Sequence, residues 1–105
     1  MKVALATDDL VAVNAHFGKA AHLAIYDVTP AGWTHAQTVA FEETDGAEDG
    51  TDRIAPRIAA LSNCTLLFLK GMGGTAAAKV VKARVHPIAL QQDEPVADVL
   101  ERVRR

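Results

Sequence analysis

Apolar positions along this chain follow two different periods, and each change of period marks an element. In Val3-Ala4-Leu5-Ala6 large and small side chains alternate. A strand there puts Val3 and Leu5 on one face and Ala4 and Ala6 on the other, and the alanine face predicts a helix lying close. Leu23 to Val28 reads as a second strand, and Thr29-Pro30-Ala31-Gly32 carries proline and glycine at turn positions. The turn predicts an antiparallel hairpin with a third strand, Trp33 to Phe41. Glu42 to Thr51 has no apolar period and is expected to be an acidic, solvated loop.

Helical spacing begins with Ile54, Ile58 and Leu61. Asp52 suits the N-cap, Pro56 fits in or just after the first turn, and Asn63 can stop the helix in a left-handed conformation. Thr65-Leu66-Leu67-Phe68-Leu69 then shows no polar alternation. Such a strand is covered on both faces, hence central and parallel to its neighbours. Gly71-Met72-Gly73-Gly74 breaks the chain, and Thr75 to Ala83 follows as an alanine-rich helix. Val85 to Leu90 is the fifth strand, where Pro87 cannot donate to a ladder and marks a sheet edge. Glu94-Pro95 is expected to open the last helix, with its stripe of Val96, Val99, Leu100 and Val103.

The order β-β-β-α-β-α-β-α, a hairpin followed by right-handed crossovers, predicts a mixed five-stranded sheet with spatial order 3-2-1-4-5 and strand two antiparallel. The first two helices then lie on one face and the last returns over the other. This is a ribonuclease-H-like α/β arrangement in a single domain spanning residues 1–105.

Composition narrows the function. Half of the 105 residues are hydrophobic and only five are aromatic. A chain of this size buries roughly two-thirds of its unfolded surface, so a core forms without staples. The net charge of −2 and the lack of a basic block argue against nucleic acid as a partner. Cys64 is the one cysteine, which fits a reducing compartment. Met1-Lys2-Val3 runs straight into a strand without a signal-type segment, and no run is long enough for a membrane helix. A cytoplasmic protein with no membrane partner is expected.

Chemistry concentrates at the carboxyl ends of strands one and four, where open α/β sheets gather ligands. The loop after strand one contains Val13-Asn14-Ala15-His16-Phe17-Gly18, and the loop after strand four contains Lys70-Gly71-Met72-Gly73-Gly74-Thr75. His16 is either a metal ligand, shielded by Phe17 and given room by Gly18, or a loop histidine bonded to backbone. The glycine loop is either an anion cradle of exposed amides at a helix start or a plain connection. Met72 is either a soft ligand or a gap-filler. The four histidines and Cys64 lack metal-site spacing, and Cys64 lies at the opposite end of its strand. Asp8 and Asp9 begin a nuclease-type carboxylate set that strand four, ending in Lys70, does not continue. They read as turn residues. Arg102, Arg104 and Arg105 oppose the last helix dipole and are expected to need no partner. With no nucleophile–base set apparent, the residues favour binding over catalysis.

At His16-Phe17-Gly18, together with Val3-Ala4-Leu5-Ala6 and Ala24-Ile25-Tyr26-Asp27-Val28, the chain resembles the NifX/NafY family, the dinitrogenase iron–molybdenum cofactor biosynthesis domain. Asp52 to Leu61, Cys64, the glycine loop and Val85-His86-Pro87-Ile88 extend the resemblance over nearly the whole chain. Asn14-Ala15 departs from the family's Asp-Gln, Asn63 and Arg84 stand where glycine is common, and Pro56 is unusual in the helix. The resemblance implies a ribonuclease-H-like fold and a non-catalytic carrier of the iron–molybdenum cofactor or its iron–sulfur precursor. It also implies a cluster-binding role for His16, and donor and nitrogenase-assembly proteins as partners. A different class of function is a metal-free interaction or regulatory module of the same fold.

Overall fold

The computed structural model describes residues 1–41 and 54–104. Five strands form one mixed sheet: β1 (Lys2–Thr7), β3 (His22–Thr29), β4 (Gly32–Ala40), β5 (Leu66–Leu69) and β6 (His86–Ala89). Their spatial order is β4-β3-β1-β5-β6. A two-stranded ribbon joins β2 (Ala12–Val13) to β7 (Glu94–Pro95). The expected acidic loop at 42–51 and the N-cap at Asp52 lie outside the described residues.

The alternation in β1 sorts the core into two layers. Ala4 and Ala6 pack with Leu23, Leu67, Leu69, Leu61, Ala76 and Val80, beneath α1 (Ile54–Ala60) and α2 (Gly74–Lys82). Val3 and Leu5 pack with Phe68, Val96, Val99 and Leu100, beneath α3 (Val96–Arg104). The small side chains of β1 thus face the two helices on one side, and the large ones face the single helix on the other. Leu5, Leu67, Leu69 and Leu100 have no exposed surface. Burial of each such side chain contributes about 1.5–3 kcal/mol.

β1 runs parallel to β5, with Val3 opposite Leu66 and Leu5 opposite Phe68, and antiparallel to β3. β5 pairs in parallel with β6 on its other side, so its apolar run is covered from both faces and both edges. β6, which carries Pro87, is an edge strand. Asn63 has φ 70° and Arg84 φ 66°, so a left-handed residue follows each of the first two helices.

Two expectations fail. Glu94 and Pro95 do not start α3: they pair antiparallel with Val13 and Ala12, and α3 begins at Val96. The Val96 N–H donates to the Val11 carbonyl, which extends the ribbon contact up to the helix start. The terminal arginines also have partners. Arg102 sits 2.8 Å from Glu94, and Arg104 donates to Glu101 at 2.8 Å and to the Pro30 carbonyl at 3.0 Å. Arg104 so ties the end of α3 to the β3–β4 turn. Among the described residues no helix is long and apolar enough to cross a membrane.

Candidate functional site

Parallel pairing brings the carboxyl ends of β1 and β5 side by side, and side chains then shape the loop that leaves β1. The Thr7 hydroxyl accepts the Leu10 N–H at 2.9 Å and donates to Asp9 at 3.3 Å. The Asp9 carboxylate accepts the N–H groups of Val11 at 2.9 Å and Ala12 at 3.1 Å. Those two amides, the Val11 one foremost, hold the Asp9 carboxyl below the usual carboxylate range. Asp8 accepts the Ala21 N–H at 3.0 Å, and its own N–H donates to Asn14 Oδ1 at 2.9 Å. Both aspartates therefore act as turn residues. Among the described residues no three His, Cys, Asp or Glu side chains are grouped to hold a metal ion.

Further on, the loop is clamped to the glycine loop. Lys70 N–H donates to the Ala15 carbonyl and Phe17 N–H to the Gly71 carbonyl, both at 2.9 Å. His16 and Gly71 form an isolated parallel bridge. The His16 ring lies close against this backbone: a Cβ built on Gly71 would stand 3.4 Å from His16 Cδ2. His16 is exposed, and its Nδ1 accepts the Gly18 N–H at 3.3 Å. In the neutral ring an accepting Nδ1 leaves the proton on Nε2. Nε2 has no hydrogen-bond partner among the described residues, so it is available as a donor. Ligation of a metal through Nε2 requires that proton to leave, or to move to Nδ1 at the expense of the Gly18 contact.

The other residues expected at the site divide. Phe17 does not shield the imidazole: it has no exposed surface and is part of the core layer under α1 and α2. An aromatic ring fills more of an alanine-rich core than any other side chain nearby, and burying it anchors the loop. Met72 packs partly buried against the same layer, the gap-filling alternative. Asn14 is engaged with the Asp8 amide, and Gly18 acts through its N–H. Lys70 Nζ lies 3.3 Å from Asp93, so its charge already has a partner. Gly73 is the N-cap of α2, and Gly73 and Gly74 are exposed with open space where a Cβ would stand. The first intrahelical bond runs from Ala77 N–H to the Gly73 carbonyl. The amides of Gly74, Thr75 and Ala76 consequently have no carbonyl one turn back. Cys64 is buried, and burial raises its thiol pKa, which disfavours the reactive thiolate.

Arg57, to which the sequence pattern assigned no role, also belongs to the site's frame. It is 4% exposed, and its Nη2 donates to the Ala20 carbonyl at 2.7 Å while the guanidinium lies 4.4 Å from the centre of the Phe41 ring. It fastens the end of the histidine loop to α1. Its position four residues before Leu61 is the available signal, since that spacing puts it on the same helix face as a buried leucine.

A family model described as dinitrogenase iron–molybdenum cofactor matches residues 1–105. Protein NifX of Sinorhizobium fredii is 41% identical over 110 residues, covering 100% of this chain and 69% of that protein. Protein NifX of Herbaspirillum seropedicae is 43% identical over 104 residues, covering 98% and 70%. Among solved structures, that of PH0822 superposes with a TM-score of 0.73 at 17% identity, covering 99% of this chain and 90% of the other.

Proposed function

The chain belongs to the dinitrogenase iron–molybdenum cofactor family, and from that premise we propose that it binds and carries the iron–molybdenum cofactor or its iron–sulfur precursor during nitrogenase cofactor maturation. The cluster is cargo. The chain acts on it by binding, without catalysing a reaction, as a single ribonuclease-H-like domain in the cytoplasm that exchanges cargo with donor and nitrogenase-assembly proteins.

One observation carries this reading: the bridge between His16 and Gly71, which sets an exposed imidazole directly against the glycine loop. His16 meets the cargo through Nε2. As the N–H donor it bonds a cluster sulfide or an acid oxygen; with the ring proton moved to Nδ1, at the expense of the Gly18 contact, it ligates an exposed metal. The amides of Gly71, Gly73, Gly74 and Thr75 balance the negative charge of the cargo. Lys70 adds its charge by exchanging Asp93 for the cargo. Phe17, Gly18, Asn14 and Met72 support the loops from behind.

Anaerobic titration with isolated iron–molybdenum cofactor, read by cluster absorption and iron content, tests the reading. His16→Ala is expected to fold as the parent does and to bind about tenfold more weakly or worse, the effect of losing about 1.4 kcal/mol of contact. Equal uptake by the two proteins removes His16 from the site.

A further inference from the structure

At the end of β1 the chain turns through Asp8-Asp9-Leu10-Val11, and the two apolar side chains point away from the core. Leu10 is 44% exposed and Val11 68%, and neither belongs to a core layer. Leu10 has φ 65°, the left-handed conformation that glycine and asparagine adopt at less cost than leucine. The turn is nevertheless held firmly, by the Thr7 hydroxyl on the Leu10 N–H and by Asp9 on the N–H groups of Val11 and Ala12. The Val11 carbonyl accepts the Val96 N–H, which fixes the far side. With 44% of its surface exposed, Leu10 gains only part of the burial that would offset this backbone cost.

We infer that Leu10 and Val11 form a docking knob for a second protein, one offering an apolar socket bordered by lysine or arginine side chains. The carboxylates of Asp8 and Asp9, both exposed, lie beside the knob, and no lysine or arginine stands between Thr7 and Gly18. The knob therefore presents an apolar centre with negative charge at its edge, and the complementary surface is apolar with a basic rim. A second copy of this chain fits poorly. Its other exposed large apolar groups among the described residues, Met1 and Val81, are single protruding side chains and not sockets. The knob and His16 both lie on the segment between β1 and β3, so a protein docked there approaches the same end of the sheet as the proposed cargo. In giving the docked protein a part in cargo exchange, the inference rests on the carrier reading; the docking itself does not.

The test uses Val11→Cys carrying a benzophenone maleimide, which labels that position because Cys64 is buried. The labelled protein is irradiated in extract of cells expressing nitrogenase, and the cross-linked peptides are mapped. The expected result is one cross-link to a different protein, on an apolar surface site with lysine or arginine at its border. Its yield should fall several-fold in high salt, which shortens the reach of the charges. Leu10→Asn, added to the labelled protein, should abolish the cross-link while melting no lower than the parent. A cross-link to another copy, to a polar or acidic surface, or none at all overturns the inference, as does a clear loss of stability in Leu10→Asn. Uptake of isolated iron–molybdenum cofactor by Leu10→Asn is measured alongside and should equal that of the parent. Failure of uptake in the parent itself counts against the carrier reading and leaves the docking result to stand separately.

Discussion

Gly71→Val is the sharpest probe of the site, because it acts on the His16 ring and on little else. A Cβ at position 71 stands 3.4 Å from His16 Cδ2, the near edge of ordinary van der Waals contact. Gly71→Ala therefore fits, and losing glycine's unfolded-state freedom stabilises a protein by about 0.4–1 kcal/mol at a compatible site. Valine adds two methyl groups that reach toward the ring. In a closed core such overpacking costs about 1–3 kcal/mol. Here the ring is exposed and swings out instead, giving up only its 3.3 Å contact from Gly18. Urea unfolding should find Gly71→Val within about 1 kcal/mol of the parent, since the clamp bonds from Lys70 and Phe17 are backbone and survive. The His16 ring resonances should shift, and uptake of isolated iron–molybdenum cofactor should fall about tenfold or more while Gly71→Ala retains it. Parent-like uptake by Gly71→Val, with shifted ring resonances, refutes the idea that the ring must lie against the glycine loop.

Three further outcomes follow from individual residues. Arg57→Met removes the 2.7 Å bond to Ala20 and the contact with Phe41; a lost charged hydrogen bond and cation–π contact predict a destabilisation of about 2–4 kcal/mol by urea unfolding. Arg84→Gly relieves the left-handed residue after α2 and should raise stability by about 1 kcal/mol, visible as a higher melting temperature. The Asp9 carboxyl has a folded pKa below its unfolded value of about 3.9, so its contribution is present above that value and lost as pH falls through the lower folded one. Asp9→Asn keeps an acceptor for Val11 and Ala12 but should flatten the acid limb of the stability profile, measured by urea unfolding at successive pH values.

What the sequence made legible was whatever repeats over several residues. The large–small alternation of Val3 to Ala6 identified both layers of the core. The unbroken apolar run to Leu69 identified a strand paired on both sides, and Pro87 an edge. Two-residue strands carry no period, so the ribbon of Ala12–Val13 with Glu94–Pro95 left no pattern to read. Pro95 misled for a physical reason: a residue without an N–H suits a helix start and a ribbon end equally well. Phe17 misled by adjacency. Next to an exposed histidine it reads as a shield, yet burial alternates along 13–17: Val13, Ala15 and Phe17 are buried and His16, the extended cap of the short 3-10 turn Phe17–Lys19, faces outward.

That same alternation explains why the candidate site separates cleanly into a frame and a contact. The frame is Phe17 in the core, Arg57 on Ala20, and the backbone bonds that join Ala15 and Phe17 to Lys70 and Gly71. All of it is buried or main-chain, so its integrity is bound to the stability of the whole fold. The contact is one exposed ring whose removal leaves the frame intact. Changes in the frame, such as Arg57→Met, should therefore lower stability and cargo uptake together, whereas His16→Ala and Gly71→Val should lower uptake alone. If uptake in Arg57→Met, assayed where the variant is still fully folded, equals that of the parent, the frame does not position the ring. The fold then contributes only a surface, and the cargo finds His16 without help from the clamp.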